Sequence, residues 1–230
     1  MLKPRKEGVL QDKKKGTHMK KLRIVGIYFV LVGLVVLSLG TVVLTKAQAG
    51  LDSLDAVYEK QGLSLSYDEN GNFVDRGSVD GGNAILSLLT DDWKYPLNRK
   101  NLDPNDPLVN TPDELMVQYA TISYHVMHGV HTVILEEDVE YNGEIFAAGT
   151  YEVRVDGRYW GDFDRKHPLY GPIREKAWSP TAHGLLAEIS AGVDADYQAG
   201  FAHFMGMLIM GFGFIFMFGG GGLYWASKEH

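Results

Sequence analysis

The sequence predicts an α+β domain held between two transmembrane helices, and three observations carry that prediction. Two long runs are almost free of charge. The charged residues around them are segregated by sign, and the hydrophobic period changes from helical to strand-like within the central segment. The 230 residues include no cysteine, so a disulfide framework and thiol chemistry are both excluded.

Residues 1–23 hold nine Lys and Arg against two acidic residues, whereas 50–196 hold eleven basic and twenty-six acidic residues, a net charge of about −15. A surface this acidic repels phosphate, which argues against nucleic acid as a partner.

The first uncharged run, "IVGIYFVLVGLVVLSLGTVVL" (24–44), reaches about 30 Å as a helix, the thickness of a bilayer's hydrocarbon core. The second, from about Ala199 to Ala226, is long enough to span with some tilt and holds one ionisable residue, His203. Basic residues flanking a span stay on the cytoplasmic side. The organisation expected is therefore a cytoplasmic tail (1–23), a first transmembrane helix (24–45), an extracytoplasmic domain (46–196), a second transmembrane helix (197–226) and a cytoplasmic C-terminus (227–230). Tyr224 and Trp225 suit the inner interface and Tyr197 the outer. Ala47-Gln48-Ala49 has the small-x-small pattern of a signal-peptidase site, but a run of about twenty apolar residues exceeds the 7–15 of a signal core, so a retained helix is expected. Met19 is a candidate start, and the residues before it carry no weight in the fold reading.

The central segment is a normal size for one domain. Leu51, Leu54, Val57 and Tyr58 lie at helical spacing, and Gly62 stands where a C′ glycine ends a helix. Leu63, Leu65 and Tyr67 alternate ahead of Asn70-Gly71, a hairpin-turn signal. Asp68, Asn70 and Asn72 imitate the start of a calcium loop, but Val79 occupies the place of its bidentate glutamate. A short helix is expected over 83–89, then a loop rich in Pro, Asn and Asp. Thr111-Pro112-Asp113-Glu114 combines an N-cap threonine, proline at N1 and glutamate at N3, so a helix should run from Pro112 to about His128. From His131 on, β-branched and aromatic runs with turns at Asn142-Gly143, Ala148-Gly149 and Asp156-Gly157 predict an antiparallel β-meander of three or four strands. Ser179-Pro180 starts a last short helix, 180–190.

Two sets of residues are candidate sites. His125, His128 and His131 are spaced by three, and each adjacent pair could converge on a metal if helical. All three together diverge by about 120° around a helix, so a further ligand such as His167, His183 or a carboxylate would be needed. His203, about one turn inside the second span, suits the membrane interface, with quinone, haem or proton contact as the sharper reading. The second set is glycine: Gly26, Gly33 and Gly40 recur every seven residues in the first span, and Gly206, Gly213 and Gly220 in the second. A seven-residue period keeps small residues on one helix face, where another helix can approach closely.

No serine nucleophile elbow, phosphate-binding loop or dinucleotide fingerprint is present, and no cofactor can be named from the residues. The expectation is a non-catalytic accessory or structural subunit of a bacterial membrane complex. Its partners would be other integral membrane subunits or copies of itself, within the lipid bilayer. The alternative is a His-ligated membrane redox enzyme or metallochaperone component.

Overall fold

The computed structural model describes residues 5–228, with side chains described from residue 16 on. Residues 1–4 of the basic tail, the side chains of 5–15, and Glu229 and His230 of the C-terminal segment lie outside the described residues. The chain divides into two compact units. One holds the described residues up to Ser53 together with those from Gln198 on, and the other is Leu54–Tyr197.

The first unit is formed by the greater part of two long helices. Helix α1 is Arg5–Gln61, and the last helix, α5, is Pro180–Ala226. In α1 the expected span runs on into the helical stretch that Gly62 ends, and in α5 the short helix expected over 180–190 is joined to the second span. The reason is local: no proline falls within α1, and α5 has one only at its first position. A lone Gly50 costs about 1 kcal/mol and does not break a helix. Within these helices lie stretches of mean hydropathy 2.7 and 1.9, only 11% of each buried, so both are long and apolar enough to cross a membrane. A core helix of a globular domain would be mostly covered.

The second unit mixes short helices and strands. Gly62 ends α1 with φ of +60°, its N–H bonded to the Tyr58 carbonyl. The turn at Asn70-Gly71 has positive φ at Gly71 alone and closes one bridge, Tyr67 to Phe73, where a paired hairpin was expected. Asp68 braces it by accepting from the Asn70 and Asn72 backbone N–H groups at 2.9 and 2.8 Å. Helix α2, Val79–Ser87, passes into a π-helical turn at Leu88–Asp92. Helix α3, Pro112–Met127, carries the full capping box: the Glu114 carboxylate accepts from the Thr111 N–H at 3.0 Å, and the Thr111 hydroxyl accepts from the Glu114 N–H at 3.4 Å.

The expected meander is replaced by nested ladders. Strands β1 (Val130–Leu135) and β4 (Gly149–Arg154) pair antiparallel, and β2 (Val139–Tyr141) pairs with β3 (Glu144–Phe146) inside them. The cause is one tight turn and one interruption. Asn142 and Gly143, at φ of 50° and 82°, form the inner hairpin turn. The chain bends at Glu136 and Glu137 and again at Ala148, whose N–H bonds the Asp138 carboxylate at 2.8 Å, so pairing is interrupted there and Gly149 begins β4. Helix α4, Tyr170–Ala177, packs beside β1.

Two apolar clusters fill this unit. Ile85, Leu89, Val109 and Val117 centre the first, and Val155 and Ile173 the second. Trp93, Tyr119, Ile122 and Tyr124 border both.

Candidate functional site

The three spaced histidines do not converge. His125 lies on α3 and bonds the Asp75 carboxylate through Nε2 at 2.9 Å. His128, just past the helix end, meets the Tyr124 carbonyl through Nδ1 at 2.8 Å and stacks on its ring at 4.1 Å. His131 belongs to β1. His167 is turned elsewhere, its Nδ1 accepting from the Leu169 and Tyr170 N–H groups at 3.1 and 3.3 Å. Among the described residues no group of three or more His, Asp and Glu could hold a metal ion. The change of element is the reason: α3 ends at Met127, so His128 is already past the helix and His131 stands on β1.

His131 has a consequence for pH. Burial, and next the Lys176 ammonium, hold its imidazole below the ordinary value of 6.5. The unfolded chain therefore takes up this proton first as pH falls. The stability contribution is complete above about pH 6.5 and is lost below it, down through the folded value. Thermal melts between pH 5 and 8 should show this slope, and His131→Gln should flatten it; an unchanged slope in the variant would assign it to another group.

The glycines are brought together. Gly26 stands opposite Gly220, Gly33 opposite Gly213, and Gly40 opposite Gly206, so the two helices run antiparallel along one seam, and all six are buried. A Cβ on Gly26 would lie 2.7 Å from the Gly220 carbonyl oxygen, and one on Gly33 would lie 2.6 Å from the Met217 nitrogen. Backbone meets backbone, a separation only glycine permits. Ala47, seven residues beyond Gly40, is 6% exposed and extends the stripe. The seam is closed within the chain, so these faces are not free to receive another subunit.

Polar groups of the helix pair are mostly answered internally. The Ser38, Thr41 and Thr45 hydroxyls donate to carbonyls four residues earlier at 2.9, 2.9 and 2.8 Å. At one end Arg23 donates to the Tyr224 hydroxyl at 3.2 Å, and Lys228 lies 4.7 Å from the same ring. His203 is half-buried, and its Nδ1 has no partner among the described residues.

A site that sequence reasoning missed lies in the globular unit. Between the two apolar clusters opens a cavity of about 530 Å³ lined by Trp93, Tyr119, Tyr159, Trp160, Trp178 and His183, with Ser123 and Ser190. Trp93 comes from the end of the π-helical turn, Tyr119 from α3, Tyr159 and Trp160 from a 3-10 turn at Trp160–Asp162, Trp178 from the end of α4 and His183 from the start of α5. Trp93 and Tyr119 meet edge to face at 5.7 Å, and Trp160 and His183 at 5.1 Å. The Trp93 indole donates to the Tyr159 hydroxyl at 2.7 Å and the Trp178 indole to the Arg158 carbonyl at 3.1 Å. Arg174, 6% exposed, lies 3.2 Å from the Trp160 ring centre and donates to the Trp160 carbonyl and to Glu175. A signal was present in the chain: Trp93, Trp160 and Trp178 each lie within two residues of Asp, Gly or Pro and outside any apolar period.

Comparison with known protein families, with curated proteins and with solved structures gave no match for this chain.

Proposed function

We propose that this chain is a non-catalytic accessory subunit of a membrane protein complex. Its two long helices cross the bilayer as a hairpin, and its acidic α+β unit stands on the extracytoplasmic face as a docking surface. The observation that carries the reading is the glycine seam itself. It joins two helices whose remaining faces present large apolar side chains such as Leu31, Val35, Phe212 and Ile215, each more than half exposed. Water would not tolerate such a surface, and lipid would. Hydroxyls that bond within their own helix fit the same setting. Orientation rests on Lys20, Lys21 and Arg23, which belong on the cytoplasmic side with Lys228 and the Tyr224 ring that Arg23 and Lys228 share.

Since the small-residue faces are used within the chain, partners meet the outer helix faces or the acidic unit. Other integral membrane subunits or a second copy would satisfy either. Absence of cysteine makes the test direct. A membrane-impermeant maleimide should label Glu137→Cys in intact cells and His18→Cys only after lysis, and mild-detergent purification should recover a stable companion. Labelling in the reverse order would overturn the topology, and a lone monomer in several detergents would overturn the accessory role.

A further inference from the structure

The aromatic cavity plays no part in anchoring, and its lining points to a ligand class. We propose that it binds a quaternary ammonium group, a trimethylammonium carried by a small molecule or by a lipid headgroup. Such a cation has no N–H to donate, so it is held by several ring faces converging from different directions. The lining offers ring surface in more than one plane: Trp93 and Tyr119 are inclined by 73° and Trp160 and His183 by 87°, while Tyr159 and Trp178 stack at 24°. A slot for a flat ring would need parallel faces throughout. A sugar site would need carboxylates or amides, and the lining has neither.

Charge favours the same class. The lining contains no Lys or Arg, and two of its three indole N–H groups, those of Trp93 and Trp178, are already engaged within the protein. The two nearby cations each have a carboxylate neighbour: Arg174, on the Trp160 ring, meets Glu175 at 2.7 Å, and Arg158, over the Tyr170 ring, meets Asp156 at 3.7 Å. Residues 50–196 carry a net charge of about −15, which draws cations toward the unit. Ser123, 2% exposed, lines the cavity, where its hydroxyl can meet an oxygen on the chain attached to the ammonium. A cavity of about 530 Å³ is within the range of small-molecule sites.

The test uses the full chain in a maltoside detergent, with tryptophan fluorescence and calorimetry reporting titrations of tetramethylammonium and choline. Both should bind saturably. The neutral isostere of choline, with tert-butyl in place of trimethylammonium, should bind about tenfold more weakly. His183→Ala and Tyr159→Leu change exposed side chains and should weaken choline binding about three- to tenfold, with circular dichroism melts checking the fold. Nanodiscs then locate the source: phosphatidylcholine that lowers choline affinity relative to phosphatidylglycerol identifies a headgroup, and equal affinity in both identifies a soluble ligand. No saturable binding, or an isostere that binds as well as choline, overturns the proposal. Either result leaves the membrane reading standing, because every lining residue belongs to the globular unit.

Discussion

Replacing Gly33 by isoleucine is expected to open the helix seam. The new Cβ would meet the Met217 nitrogen at 2.6 Å and the Gly213 carbonyl oxygen at 2.8 Å. These are backbone atoms of a regular helix, so no side chain can turn aside to make room. Overpacking of a well-filled site costs about 1–3 kcal/mol, and a clash with backbone belongs at the upper end. Helix association in lipid rests on close packing, so that cost falls on the contact that holds the pair together. The Phe29 and Phe216 rings stack across the seam at 5.9 Å. Cross-linking of Phe29→Cys with Phe216→Cys in the otherwise cysteine-free chain should therefore be efficient with Gly33 and largely lost with isoleucine. Gly211 and Gly222 have nothing within 4 Å of an added Cβ. Alanine there should leave cross-linking intact and favour the helix by up to about 1 kcal/mol where the site is in water. Equal cross-linking in the Gly33 variant would show that the seam does not hold the helices.

The second large effect is expected at Leu89. Its side chain is 0% exposed in the π-helical turn, at the centre of the first apolar cluster. Truncation to alanine removes its packing and leaves a cavity, a loss of about 2–5 kcal/mol. Against a whole-domain stability of about 5–15 kcal/mol this is a large share, and the melting temperature should fall by about 10 °C. Ile173→Ala, also at 0% exposure, makes the same test in the second cluster. Trp93 borders both clusters and lines the cavity, so its fluorescence should report either melt. A Leu89→Ala chain that melts like the parent would remove that residue from the core.

The histidine spacing shows how far local pattern reaches. On a continuous helix His125 and His128 would share a face, and α3 does carry His125. Whether a third ligand joins them depends on which element holds His131 and what surrounds it. The answer is a strand, with His125 turned instead to Asp75, fifty residues earlier in the chain. Spacing alone carries no information about that contact.

Local chemistry was readable from residue order. The threonine and glutamate that cap α3, the glycine that ends α1 and the Asn142-Gly143 turn each act within a few residues of themselves, so their pattern specifies their geometry. The two apolar stretches and the heptad glycines were equally visible, because length and periodicity are properties of the chain. What had to wait for the folded molecule was every partner far along it: Gly26 against Gly220, β1 against β4 across an interrupted hairpin, and three separated tryptophans around one cavity. Such pairings arise when distant surfaces compete to exclude solvent and fill space, and that competition is settled by the whole chain at once.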